Sequence, residues 1–126
     1  MKKNELRIGN LVKLNGEIIK VEQITKQKIG YHKEPRENVM HYAKLCEVEP
    51  IVLTEDVMDM IRCEDKCADG YSPVYSLREG FYVKCRAIDG SLDFVKIDST
   101  YLHIKYLHQL QNCYYVLCYK ELEVNL

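Results

Sequence analysis

His108, Gln109, Gln111 and Asn112 form the densest run of uncharged polar side chains in the chain. On a helix His108, Gln111 and Asn112 fall at i, i+3 and i+4, so they share one face. That face can hydrogen-bond a partner's backbone, a base edge or an internal loop. The structural alternative is that it satisfies backbone groups of an adjoining sheet edge and fixes how the helix docks. Cysteine and histidine supply a second possible chemistry. A cysteine nucleophile needs a base within hydrogen-bond reach and donors for an oxyanion, and residue type alone offers His103 or His108 as that base. No Gly-x-Ser-x-Gly elbow, glycine-rich phosphate loop or His-Glu-x-x-His motif accompanies them. Cys63 and Cys67 stand four apart, and His41 and Cys46 five apart. A zinc knuckle usually separates each ligand pair by about two to four residues within a rigid turn, so the spacing is too loose, and neither a metal nor a cofactor is expected. Glu55, Asp56 and Asp59 lie at a helix start, where the dipole accounts for acids.

Charge is unevenly spread. Residues 1–44 hold ten Lys or Arg against five Glu, whereas residues 45–100 hold six against twelve Asp or Glu. The basic segment includes Lys13, Lys20, Lys26, Lys28, Lys33 and Arg36, interleaved with Tyr31. A small basic β-barrel bearing an aromatic can track a nucleic-acid backbone. The plainer account is that these lysines solvate strand edges against aggregation. Ten tyrosines and no tryptophan also point to contact surfaces, because a tyrosine ring buries area while its hydroxyl stays wet. Tyr114, Tyr115 and Tyr119 cluster near the C-terminus and would suit a protein partner or a second copy of the chain.

These side chains sit in 126 residues with 47% hydrophobic and 29% charged content and a net charge of −1. The length predicts a single domain, 1–126, with lobes 1–53 and 54–126 as a subdivision. The composition excludes collagen-like, coiled-coil and disordered classes. The charged start, broken at Gly9-Asn10 and Lys13, lacks the apolar run of about 7–15 residues that a secretory signal needs. No stretch approaches the ~20 apolar residues of a membrane span. The expectation is a cytoplasmic chain with reduced cysteines, most of them serving as small buried hydrophobes.

The elements read as a β-rich α+β fold. Leu11 to Leu14 and Glu17 to Ile24 flank Asn15-Gly16, a tight hairpin turn. A short strand at Lys28 to Tyr31, an exposed loop over His32 to Asn38 and a strand from His41 to Val48 complete an SH3-like or small-barrel sheet. Thr54 caps a short helix over Glu55 to Arg62, and Glu64 to Pro73 reads as a loop. Phe81 to Ile88 and Leu92 to Ile97 flank Asp89-Gly90, and a third strand follows at Tyr101 to Lys105. Leu107, Leu110, Tyr114 and Leu117 then predict an amphipathic helix over Leu107 to Cys118, packed on the preceding sheet. The apolar run Cys113 to Tyr119 predicts that most of its circumference is covered. A tail strand at Glu121 to Val124 has weak support.

Three segments taken together resemble an uncharacterised family of small proteins from Bacteroides-group bacteria and their prophages or mobile elements. They are Asn4 to Val12 with its Asn-Gly hairpin, Pro50 to Glu55, and Tyr106-Leu107-His108-Gln109-Leu110-Gln111-Asn112. The resemblance implies a bacterial, phage-related setting and no particular activity. In that family the last helix tends to finish at a Thr-Gly pair, where Cys118-Tyr119 stands here. Without the glycine the helix is expected to run on toward Glu121. The combined expectation is a non-catalytic cytosolic binding or adaptor module that makes protein–protein contacts through His108, Gln111, Asn112, Tyr114 and Tyr115. Nucleic-acid binding through Lys13, Lys20, Lys28, Lys33, Arg36 and Tyr31 is the alternative, followed by a small enzyme with a Cys/His site.

Overall fold

Asn15 and Gly16 take φ of 52° and 81°, the positive values that a two-residue hairpin needs. They join β1 (Leu11–Leu14) to β2 (Glu17–Lys20) with Leu14 opposite Glu17 and Leu11 opposite Lys20. The computed structural model describes residues 1–34 and 36–126; Pro35, within the expected loop, lies outside the described residues. The fold is β-rich α+β, and the chain divides into two compact units. The first comprises Met1–Ile51 with Tyr106–Glu121, and the second Val52–Lys105 with Leu122–Leu126.

In the first unit β3 (Gln23–Ile24), β4 (Lys28–Tyr31) and β5 (His41–Lys44) follow β2. Two three-stranded antiparallel sheets result, ordered β2-β1-β6, with β6 at Val48–Glu49, and β3-β4-β5. The chain passes between them at Val21, which is fully buried and whose N–H donates to the Asn10 carbonyl at 2.8 Å. The strand expected from His41 to Val48 is interrupted. A 3-10 turn over Leu45–Glu47 intervenes before β6 (Val48–Glu49), which returns to pair with β1. Residues three apart eclipse in such a turn, so Leu45 and Val48 both reach the core formed with Val12, Ile19, Val21 and Ile29.

The second unit is a five-stranded antiparallel meander, β7 (Asp65–Asp69), β8 (Ser72–Arg78), β9 (Phe81–Cys85), β10 (Leu92–Ile97) and β11 (Thr100–Leu102), paired in chain order. The stretch read as a loop from Glu64 to Pro73 therefore holds β7, a tight turn and the start of β8. β7 is an edge strand exposed along its whole length, so it carries no apolar alternation to betray it. Pro73 precedes Val74, where pairing with β9 begins, and its missing N–H removes nothing from that ladder. α1 (Glu55–Asp59) begins as expected, with the Thr54 hydroxyl accepting the Val57 N–H at 3.3 Å. It stops before Arg62 because Ile61 bridges Val124 and the Arg62 N–H donates to the Glu123 carbonyl at 2.9 Å. The tail thus contributes one bridge rather than a strand. The third strand of this group ends at Leu102 rather than Lys105, whose carbonyl instead accepts the Leu53 N–H.

α2 spans Leu107–Cys118, the range its spacing predicts. It belongs to the first unit and is held against β1. Its run-on toward Glu121 does not occur: Tyr119 adopts φ 57° and ψ 27° and donates its N–H to the Tyr115 carbonyl, a left-handed stop made without glycine. A non-glycine residue in that region costs about 1–2 kcal/mol. Tyr119→Gly is therefore expected to stabilise the protein by about 0.5–1 kcal/mol after the added entropy of the unfolded chain, read as a higher urea midpoint. Among the described residues, no helix is long and apolar enough to cross a membrane.

Candidate functional site

The polar face of α2 turns inward onto the N-terminal segment. Gln111, buried, accepts the Leu11 N–H at 2.9 Å and donates to the Gly9 carbonyl at 3.3 Å. Asn112 accepts from the Asn10 side chain at 2.7 Å and from Arg7 Nε at 3.2 Å, and donates to the Glu5 carbonyl at 3.2 Å. Arg7 forks onto both Glu121 carboxylate oxygens at 2.5 and 2.9 Å and lies 4.3 Å from the centre of the Tyr115 ring. The guanidinium holds the Glu121 carboxyl below its ordinary value. Gly9 has φ of 100°, a backbone conformation that L side chains rarely adopt, so the turn under this clasp favours glycine. Of the face read at His108, Gln111 and Asn112, the two amides form a clasp within the first unit, and His108 contributes no hydrogen bond to it.

His108 sits beside this network with its ring stacked on Tyr106, centroids 5.8 Å apart and planes within 10°. Neither ring nitrogen has a hydrogen-bond partner among the described residues. Burial holds the ring below the ordinary histidine value, opposed by the Glu5 charge. Tyr114 is half-buried. The run expected to be covered is exposed at Tyr115, Val116, Leu117 and Tyr119.

The basic residues do not line one groove. Tyr31 is 8% exposed, its ring tilted against His41 at 5.7 Å, and it lines the same hollow as Lys33. Lys33 lines a hollow of 320 Å³ with Leu14, Ile18 and Ile19, whereas Lys28 lines another of 360 Å³ with Lys26 and Lys44. Lys13 lies on β1 opposite Glu49 of β6, while Lys20 and Arg36 are exposed. His32 and His41 are paired with the carboxylates of Glu22 and Glu37. Burial pushes the Cys63 and Cys85 thiols up to about 11 and also raises Cys113, which leaves little thiolate at neutral pH. Among the described residues, no three His, Cys, Asp or Glu side chains gather to hold a metal.

Sequence reading missed the outward face of the five-stranded sheet. The inward positions Tyr75, Leu77, Phe81, Val83 and Val95 are buried, so their strand neighbours face out. Register sets Ser76, Tyr82, Lys96 and Tyr101 in one row across β8 to β11, and Val74, Lys84 and Phe94 in the next. Phe94 and Tyr101 meet edge to face at 5.3 Å. Lys84 Nζ lies 5.8 Å from the Phe94 centroid, and Lys96 Nζ 5.4 Å from that of Tyr101. Lys84 also pairs with Asp69 at 2.8 Å, which lowers the Asp69 carboxyl. The alternation Phe81-Tyr82-Val83-Lys84 carried part of the signal, but grouping the rings requires the register of three strands. No family model, curated protein or solved structure matches this chain.

Proposed function

We propose that the chain is a non-catalytic binding protein that takes a protein partner on the outward face of its five-stranded sheet. The observation that carries this reading is the cluster of Tyr82, Phe94 and Tyr101 on adjacent strands, flanked by Ser76 and Val74. Tyrosine and phenylalanine supply large contact area with few side-chain torsions to freeze, and serine supplies adaptable hydrogen bonds; binding surfaces favour this mixture. Paired strands hold the rings rigid before contact, which lowers the entropic cost of association. A polyanion suits the face less well, because Lys84 is paired with Asp69 and residues 45–100 carry twice as many acids as bases. The raised thiols of Cys63 and Cys85 support a role other than cysteine catalysis. For the first unit, the 3-10 turn that returns β6 to β1 supports an SH3-like reading. The cytoplasmic, phage-associated setting rests on the family resemblance.

A photo-reactive phenylalanine analogue at Ser76, introduced in cells that naturally express the chain, tests the reading. A discrete protein adduct should form and should disappear in Phe94→Ala and Tyr101→Ala chains of unchanged stability. With the adduct's partner purified, each substitution should weaken binding at least about tenfold, the scale of an aromatic hot spot. No protein adduct, or one indifferent to both rings, would overturn it.

A further inference from the structure

The antiparallel pairing of β4 with β5 sets Lys28 directly opposite Lys44. Like charges in that relation oppose sheet formation, and natural strands usually place an acid or an uncharged residue there. Lys26 stands two residues earlier, in a turn closed by the Thr25 N–H donating to the Lys28 carbonyl at 2.8 Å. The three lysines line one hollow of 360 Å³, with Met1, Leu45 and Cys46 supplying apolar surface and no acidic residue in the lining. The carboxylate on the adjoining turn, Glu47, accepts the Lys44 backbone N–H at 3.2 Å. No ion pair joins Lys26, Lys28 or Lys44 to a carboxylate among the described residues.

We propose that this hollow is a binding site for a phosphate-bearing ligand. Lys26, Lys28 and Lys44, supplied by a turn and two paired strands, line one hollow and can together meet one multiply charged phosphoryl group, to which lysine binds as a compact point charge. The ligand also relieves the Lys28–Lys44 repulsion, so binding and folding are linked at this site. Its volume lies in the small-molecule range of about 300–1,000 Å³, and Leu45 and Met1 give an attached organic group an apolar wall. The site lies within the first unit and is independent of the aromatic sheet face.

Thermal unfolding of the full chain, titrated with inorganic tripolyphosphate at balanced ionic strength, tests the proposal. The unfolding midpoint should rise saturably. Lys28→Gln and Lys44→Gln should each raise the midpoint without tripolyphosphate, by removing the repulsion, and weaken its binding at least tenfold. Lys20→Gln, exposed at the end of β2 and outside the hollow, should do neither. A labelled single-stranded oligonucleotide then distinguishes the source. Displacement by tripolyphosphate from the same lysines identifies nucleic-acid phosphates; tripolyphosphate binding that the oligonucleotide leaves untouched identifies a free polyphosphate or nucleotide. No saturable rise, or an equal rise in the Lys28, Lys44 and Lys20 variants, would overturn the site.

Discussion

Gln111→Ala is expected to lower stability by about 3 kcal/mol, because it leaves two backbone groups of the N-terminal segment unpaired at a cost of roughly 1–3 kcal/mol each. The Leu11 N–H and Gly9 carbonyl lose their partner together, and Gln111 is only 2% exposed, so water does not readily replace it. Gln111→Glu keeps an acceptor for Leu11 but loses the donor to Gly9 and buries a charge, so it should be at least as damaging at neutral pH. Arg7→Ala or Glu121→Ala removes a more exposed ion pair, with an expected loss nearer 1 kcal/mol. Urea denaturation should show a lower midpoint for Gln111→Ala at an unchanged slope. A loss below about 1 kcal/mol would mean that the clasp contributes little beyond ordinary surface contacts.

Acidification should destabilise the fold through His108 before it acts through the carboxylates. The folded state holds this ring below its ordinary value, whereas in the unfolded chain it titrates near about 6.5. Below that pH the unfolded chain binds the proton more readily than the folded one, so stability falls as pH drops and levels off beneath the folded-state value. Glu37, Asp59 and Glu121 are lowered by His41, Lys66 and Arg7 respectively. Their contribution is present above the ordinary glutamate and aspartate values and declines only as pH falls below about 4.5. His108→Leu should therefore remove the slope between pH 7 and 5 and spare the acid limb. Replacing two unpaired buried nitrogens by an apolar side chain should leave stability at pH 7 equal or about 1 kcal/mol higher. Denaturation series across pH for both chains decide the matter, and equal slopes between pH 7 and 5 would remove His108 as the cause.

The elements legible in the sequence were those whose signals are local. Asn15-Gly16, the Thr54 cap and the 3-4-3 spacing along α2 each encode backbone geometry within a few residues, and each element began where its signal placed it. β7 escaped because an exposed edge strand needs no apolar face, and α1 was overextended because its end depends on a bridge to the tail more than sixty residues away. The polar face at His108, Gln111 and Asn112 was legible as a face. That it grips Gly9, Asn10 and Leu11 was not, since nothing in the helix specifies its acceptor. The aromatic sheet face was invisible for the same reason: Tyr82, Phe94 and Tyr101 belong to different strands, and only register makes them neighbours.

The clasp has a consequence for how the protein is made. Residues 5–11 are tied to residues 111–121 by bonds that span one hundred or more positions, while the second unit occupies most of the sequence between them. The first strands leave the ribosome early but cannot complete their unit until the last helix emerges. Residues 52–105 contain their whole five-stranded meander and can pair during synthesis. Such ordering leaves the first unit unfinished while residues 52–105 are translated, when unsatisfied edges are open to association. A ribosome halted after Lys105 would thus release a chain whose earliest strands, though fully translated, have lost the helix that holds them closed.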